Sequence, residues 1–211
     1  MVDGDESVVL TAGCRAVEVH DFAQSAVIPV RFLYPTRAPA RTEPFGPFTL
    51  SVALDATAEG RELQLVVISH GSGGTPWTHR DLAAHLARAG FVVALIQHPG
   101  DSRGDAGLAG KVVNLVNRPR HVRLVIDDAF ADESLGPHLG RTGVTVIGHS
   151  MGGYTALAIA GGNPCAAAWE TPDGLPDKGS RVYVKVCHDH VAADPRDRWL
   201  TASREKWRVL R

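Results

Sequence analysis

The stretch VTVIGHSMGGYTALAIAGG, at residues 144–162, most constrains how this chain can fold. One apolar run ends at Gly148, a second begins at Met151, and Ser150 stands between them. Short apolar runs of this kind are typical of a buried strand and a buried helix. Because so few residues separate the two runs, the chain has to reverse direction sharply at Ser150. The stretch therefore predicts a strand, a tight turn and a helix inside an α/β domain.

Gly148, Ser150 and Gly152 form the pattern G-x-S-x-G in the strand-to-helix context that this pattern requires. A turn this sharp strains the backbone at the serine and leaves no room for side chains at positions 148 and 152, where glycine supplies the clearance. The serine hydroxyl then lies above the carboxyl ends of the strands, where open α/β sheets bind ligands. The helix N-terminus beside it favours negative charge. We interpret Ser150 as a candidate nucleophile.

A nucleophile of this kind needs hydrogen-bond donors that already point at the developing oxyanion. The N–H of Met151, which follows the nucleophile, is one candidate donor. The sequence SHGSGG, at residues 69–74, follows an earlier buried strand and offers the second, which we assign to the N–H of Ser72. The glycines of this loop let its backbone approach a substrate closely. The predicted oxyanion hole therefore consists of the amides of Ser72 and Met151.

The rest of the chain predicts one α/β domain over 1–211, with a mostly parallel sheet and helices on both faces. Residues 1–60 are expected to form antiparallel strands, and residues 61–163 the core of alternating strands and helices; residues 164–211 form a shortened or divergent C-terminal part. The predicted strands read AVEVH, VIPVRFLYP, FTLSVAL, LQLVVIS, FVVALI and VTVIG, with PTRAPARTEPFGP as a proline-rich turn.

Two further helices follow from the spacing of apolar residues. In DLAAHLARAG, Leu82 and Leu86 lie one turn apart, and Gly90 is placed to end the helix. In RPRHVRLVIDDAF, the apolar residues have the spacing of a stripe that faces the core. They are Val122, Val125, Ile126 and Ala129.

Composition excludes several classes of partner. Lys and Arg number 22 against 23 Asp and Glu, so no basic excess is present to bind a nucleic acid backbone. The first residues lack the pattern of a secretory signal, and the sequence has no apolar run long enough for a membrane span, so we expect neither. The three cysteines lack metal-ligand spacing. We expect a reduced cytoplasmic protein.

Five segments together resemble a known family, the predicted dienelactone hydrolases, which are bacterial α/β-hydrolases similar to platelet-activating factor acetylhydrolase. The resemblance extends over residues 15–163. Its segments, in chain order, are VIPVRFLYP, LVVISHGSGG, GFVVALIQHPGD, NRPRHVRLVIDD and VIGHSMGGYTALA. It implies the α/β-hydrolase fold and a serine hydrolase that acts on small-molecule esters without a metal or an organic cofactor.

The family carries its triad in the order serine, acid, histidine, so the acid and the base are expected after the nucleophile. Two assignments are open. In the first, Asp189 is the acid and the base histidine is absent; in the second, His188 or His190 is the base, with Asp173 or Asp177 as its partner. Across the two assignments, the catalytic candidates that we retain are Ser150, Asp189 as the acid and His190 as the base.

The C-terminal part departs from the family pattern. RVYVKV is apolar on one face only, which predicts an edge strand rather than a central one. The run Cys187 to His190 does not predict a metal site, because neighbouring residues of a strand point to opposite faces. We expect His70 and His149 to be loop or packing residues, and HPGD at 98–101 to be a turn. If the base is missing, the chain is instead a non-catalytic protein or fragment.

Overall fold

The structure, a computed structural model, describes residues 10–161 and 186–188. It contains eight strands and three α-helices in these ranges. The strands are β1 (Thr11–Asp21), β2 (Ala26–Thr36), β3 (Arg41–Phe45), β4 (Phe48–Leu54), β5 (Leu63–Ser69), β6 (Val92–Ile96), β7 (Leu139–Gly148) and β8 (Val186–His188). The helices are α1 (Arg80–Arg88), α2 (Val113–Ala131) and α3 (Met151–Ile159). Within these ranges, none of the helices has the length and apolar character that a bilayer crossing requires.

All eight strands join one sheet in the order β3-β4-β1-β2-β6-β5-β7-β8. The strands β6, β5 and β7 are parallel, as their continuous apolar sequences predict. On one side the antiparallel β1–β2 ribbon extends this centre, since β2 pairs antiparallel with β6. The carboxyl ends of β5, β6 and β7 therefore lie at one edge, where the loop 69–74 and Ser150 follow. The predicted α/β class is confirmed.

Two details of the N-terminal part differ from the sequence prediction. The proline-rich segment expected to be a turn contains β3, which pairs antiparallel with β4 in a tight hairpin across Phe45 and Phe48. Proline is tolerated there because β3 is the edge strand of the sheet. β4 pairs parallel with β1, not antiparallel as predicted, because the chain crosses over β1 between β2 and the hairpin.

Helices cover both faces of the sheet. α2 and α3 pack against one face, where the predicted stripe on α2 is fully buried. α1 packs against the other face through Ala83, Ala84 and Ala87. Leu82 is 41% exposed, whereas Leu86, one turn later, packs against this face. The three alanines carry no bulk beyond Cβ and allow α1 to lie close to the strands. Gly90 adopts φ +92 just past the helix, as its predicted terminating role requires.

β8 occupies the edge of the sheet next to β7, and it is antiparallel to β7. Val186 lies opposite Val146, and His188 lies opposite Val144. The backbone of β8 therefore runs away from the edge of the sheet that carries Ser150. The predicted edge strand at 181–186 overlaps β8 only at Val186, and the rest of it lies outside the described residues.

Candidate active site

The turn at Ser150 has the geometry that its sequence pattern predicts. Ser150 adopts φ 54 and ψ −119, in the left-handed region that a side chain rarely enters, and the residue is exposed. A Cβ on Gly148 would lie 2.0 Å from the carbonyl oxygen of Gly152. A Cβ on Gly152 would lie 1.9 Å from the carbonyl oxygen of Ser69. The three backbones are in such close contact that only glycine fits at either position.

The loop 69–74 lies directly beside the candidate nucleophile. A Cβ on Gly71 would lie 3.3 Å from the Cβ of Ser150 and 3.3 Å from the Nδ1 of His149. The N–H of His149 also donates a hydrogen bond of 3.2 Å to the carbonyl of Ser69. The end of β5 and the turn after β7 are therefore joined through their backbones.

The two amides proposed as oxyanion donors both belong to this region. Within residues 10–161, neither the N–H of Ser72 nor the N–H of Met151 donates a hydrogen bond. Met151 is the first residue of α3, where backbone amides have no acceptor within the helix. Both amides therefore remain available to an added acceptor.

The acid and the base predicted from the sequence lie beyond this part of the chain. Asp173, Asp177, Asp189 and His190 are outside the described residues. The backbone of His188 is described in β8, whose direction carries it away from the turn at Ser150. Within residues 10–161, no side chain is hydrogen-bonded to the Ser150 hydroxyl.

A buried ion pair lies beneath the loop 69–74, and it is the main feature of the site that sequence analysis missed. The Nη1 of Arg118 lies 2.7 Å from the Oδ2 of Asp101, and both side chains are fully buried. The other carboxylate oxygen of Asp101 accepts from the Ser72 hydroxyl at 2.5 Å and from the N–H of Gly73 at 3.2 Å. Asp101 was predicted only as part of a turn. Its carboxylate in fact connects α2 to the loop.

Arg118 also contacts the end of β5. Its Nη2 donates to the carbonyl oxygen of His70 and, at 3.2 Å, to the hydroxyl of Ser69. Its Nε donates to the hydroxyl of Thr155 on α3, at 3.2 Å. Burial lowers the pKa of Arg118, while the hydrogen bond and charge of Asp101 raise it. One guanidinium thus joins three elements that meet below Ser150.

Three buried histidines, His70, His98 and His121, continue this network. His70 donates from Nδ1 to the carbonyl of Gly71 at 2.6 Å and accepts at Nε2 from the N–H of His98, at 3.2 Å. These partners require the neutral ring. Burial is the main cause that lowers the pKa of His70 to about 4. The prediction that His70 is a packing residue agrees with these contacts.

His98 and His121 form a directed chain with their neighbours. The Nε2 of His98 lies 2.8 Å from the Ser69 hydroxyl, and its Nδ1 lies 3.3 Å from the Nδ1 of His121. The Nε2 of His121 lies 3.4 Å from the Oε1 of Gln24, which can only accept, so a neutral His121 carries its proton on Nε2. Its Nδ1 then accepts from His98, whose Nε2 accepts from the Ser69 hydroxyl. Burial lowers the pKa of His98 well below its ordinary value and that of His121 to about 4. All three rings are therefore neutral near pH 7.

A further pair of histidines, His79 and His149, is partly buried beside the turn. The rings of His79 and His149 stack edge to face, with 5.5 Å between their centroids. Burial, followed by the charge of His149, lowers the pKa of His79. Within residues 10–161 and 186–188, no group of three or more His, Cys, Asp or Glu side chains is arranged to hold a metal ion.

The sequence carried a signal for the ion pair. Arg118 precedes Val122 by four residues, so it continues the buried stripe of α2 by one turn. A charged residue in a core-facing stripe requires a buried partner of opposite charge. Asp101, which lies a few residues after β6, could have been proposed for that role.

Comparison with known proteins agrees with this geometry. Residues 60–169, more than half of the chain, match the family described as serine aminopeptidase, S33. The chain belongs to this family of α/β-hydrolases. The matched segment contains both the loop 69–74 and the turn at Ser150. The α/β-hydrolase fold expected from the sequence is thereby confirmed. No curated protein sequence matches the chain.

Several solved structures are similar to this chain. A ferulic acid esterase from Streptomyces cinnamoneus superposes with a TM-score of 0.59 at 21% identity, over 70% of this chain and 54% of the esterase. A dienelactone hydrolase from Anabaena variabilis has a TM-score of 0.46 at 19% identity, over 69% and 56% of the two chains. A dienelactone hydrolase-like promiscuous phosphotriesterase from metagenomic libraries has a TM-score of 0.47 at 18% identity, over 71% and 54%. This chain spans about half the length of the solved structures that it matches.

Proposed function

We propose that this α/β-hydrolase cleaves carboxylic esters of small molecules, with Ser150 as the nucleophile. The observation that carries the proposal is the exposed hydroxyl of Ser150 on a left-handed backbone, in contact distance of the loop 69–74. A residue held in such a backbone conformation costs about 1–3 kcal/mol, and such strain concentrates at functional sites. A serine whose only role was to turn the chain could be replaced by glycine without that cost.

The proposed reaction has two steps. The Ser150 oxygen attacks the acyl carbon, the bond to the alkoxy oxygen breaks, and the alcohol leaves with the proton that the serine loses. Water then attacks the acyl-enzyme, which releases the acid and restores the hydroxyl. In both steps the amides of Ser72 and Met151 stabilise the oxyanion; one donor of this kind typically contributes about 2.7–4 kcal/mol. Asp189 and His190 are the candidates for proton transfer, and no metal or organic cofactor takes part.

A fluorophosphonate probe tests the nucleophile directly. We expect the folded full-length chain to be labelled, with the adduct on Ser150 by peptide mass spectrometry. Ser150→Ala should abolish labelling, while Ser134→Ala, at another exposed serine, should leave it intact. Labelling that survives Ser150→Ala, or a folded protein that is never labelled, contradicts the proposal.

The second candidate function is binding without catalysis. It is favoured by the direction of β8, which carries the backbone of His188, one of the two candidate bases, away from the turn at Ser150. Turnover of p-nitrophenyl acetate that disappears in the double variant His188→Ala, His190→Ala would exclude it. An amino acid p-nitroanilide, assayed in parallel, separates ester cleavage from the aminopeptidase activity that the family description names.

A further inference from the structure

The loop 71–74 would need rigid support if its amides are to bind an oxyanion. Three of its four residues are glycines, so its backbone has more conformational freedom than that of an ordinary loop. Gly73 adopts φ +65, which confirms that the loop uses this freedom. Electrostatic stabilisation of a transition state depends on donors that are already oriented before the reaction. Some other part of the protein must therefore restrict the loop.

Asp101 makes the side-chain contacts that restrict it. Its Oδ1 accepts from both the hydroxyl of Ser72 and the N–H of Gly73, at 2.5 and 3.2 Å. A single carboxylate oxygen thus holds two consecutive residues of the loop. The donors to Asp101 are the hydroxyl of Ser72 and the N–H of Gly73, so the N–H of Ser72 itself remains free. The geometry restricts Ser72 without using the amide that the reaction needs.

Arg118 holds Asp101 in turn and ties it to the other end of the loop. Its Nη1 binds the Oδ2 of Asp101, and its Nη2 binds the carbonyl of His70 and the hydroxyl of Ser69. The ion pair therefore contacts both ends of the segment 69–73, Arg118 at residues 69 and 70 and Asp101 at residues 72 and 73. Both charged side chains are fully buried. A buried ion pair generally contributes little net stability compared with apolar residues of the same size, so this pair calls for an explanation other than stability.

We propose that Asp101 and Arg118 are positioning residues, which hold the Ser72 amide toward the Ser150 hydroxyl. This inference rests on the proposed hydrolase function. Asp101 acts by holding the side chain of Ser72. Arg118 acts through its planar guanidinium, which binds both Asp101 and the end of β5.

Backbone contacts offer an alternative support. The N–H of Arg103 donates to the carbonyl of Gly74 at 2.9 Å, and Gly74 forms an isolated bridge with Ser102. The carbonyl of Gly71 is also held, by the N–H of Gly74 at 3.0 Å and by the Nδ1 of His70 at 2.6 Å. None of these contacts reaches Ser72 or Gly73. If they were sufficient, loss of the Asp101 contacts would leave the amide of Ser72 in place, and the variants below would behave as the wild type.

Ser72→Ala, Asp101→Asn and Arg118→Lys test the proposal in the full-length chain. Ser72 is exposed, so its substitution removes one Asp101 contact without opening the core. Asp101→Asn removes the charge, and Arg118→Lys keeps the charge but loses the planar fork. Thr78→Ala is the matched control, because Thr78 is also an exposed hydroxyl that bonds a loop amide, that of Thr75, but has no contact with Asp101.

Two measurements are made on each variant: hydrogen exchange of peptides spanning 70–76, and kcat and KM for p-nitrophenyl acetate. We expect faster exchange in this segment only, with kcat reduced about tenfold in Ser72→Ala and about a hundredfold in Asp101→Asn and Arg118→Lys. KM should change less than about threefold, because the amide acts on the oxyanion rather than on the bound ester. Thr78→Ala should match the wild type in kcat and KM, and its exchange should become faster only at the amide of Thr75, whose hydrogen bond it removes.

The outcomes separate the two proposals. If the wild type turns over ester but Ser72→Ala and the other variants keep its kcat, the positioning role is overturned and the serine hydrolase stands. Unchanged exchange in 70–76 overturns the positioning role as well. If the wild type neither turns over ester nor reacts with the fluorophosphonate, the proposed function fails, and the inference fails with it. Should either charged variant not fold, Ser72→Ala decides the question alone.

Discussion

The buried histidines predict that the protein loses stability as the pH falls from about 6.5 to about 4. The pKa of His70 and that of His121 are each lowered from 6.5 to about 4, mainly by burial. As the pH drops through this window, the unfolded chain takes up protons that the folded chain does not, so unfolding is favoured. The stability that the neutral histidines contribute is therefore fully present above 6.5, the pKa of a histidine in the unfolded chain, and is lost as the pH falls to about 4.

The magnitude follows from the two values. One pKa unit corresponds to about 1.4 kcal/mol, so each of these two histidines is worth up to about 3 kcal/mol of unfolding free energy across the window. His98 adds to the loss, because burial, followed by the charge of Arg118, lowers its pKa as well. The Nδ1 atoms of His98 and His121 lie 3.3 Å apart, and only one of them carries a proton when both rings are neutral. Protonation of the other Nδ1 would bring two N–H groups into contact. A domain of typical stability has only about 5–15 kcal/mol to lose.

Neighbouring carboxylates do not cancel this effect. Arg120 holds the pKa of Asp21 below its ordinary 3.8, so the contribution of that ion pair is lost only at lower pH. Burial raises the pKa of Asp128, which stabilises the folded chain slightly as the pH falls and reduces the loss at the acidic end of the window.

Urea denaturation followed by tryptophan fluorescence, at several pH values between 7.5 and 4.5, measures the effect. We expect the unfolding free energy to fall by several kcal/mol over this range. His121→Gln should reduce the fall by up to about 3 kcal/mol, while His85→Gln, at an exposed site on α1, should leave it unchanged. An unfolding free energy that is constant within about 1 kcal/mol from pH 7.5 to 4.5 would refute the reasoning.

Two further predictions follow from single contacts. Gly152→Ala should destabilise the protein by at least about 1–3 kcal/mol and abolish fluorophosphonate labelling, because the new Cβ would lie 1.9 Å from the backbone of β5. Gly107→Ala, where a Cβ has open space, is the control. A Gly152→Ala protein that is stable and labelled would contradict the turn geometry. Cys14 on β1 is buried, and burial raises the pKa of its thiol to about 11. After the native protein is treated with iodoacetamide at pH 8, peptide mass spectrometry should therefore find Cys14 unmodified. Rapid alkylation of Cys14 would show that β1 is not packed as described.

The sequence by itself determined the elements at the centre of the sheet. Continuous apolar runs predicted β5, β6 and β7, and the four-residue stripe on α2 predicted the face that is buried. The glycines at 148 and 152 predicted the turn at Ser150, because a local steric demand is written in neighbouring residues. These features are local or strictly periodic, so a sequence pattern is sufficient to find them.

Only the tertiary structure decided which side chains support the loop 69–74. Asp101 and Arg118 are 17 positions apart, and Arg118 is 48 positions from His70, so no short motif connects them. The direction of β8 and the parallel pairing of β4 with β1 were likewise decided by distant contacts. The physical reason is the same in each case. A buried charge or an unpaired strand edge requires a partner, but the sequence around it does not identify which distant residue the packed chain will supply.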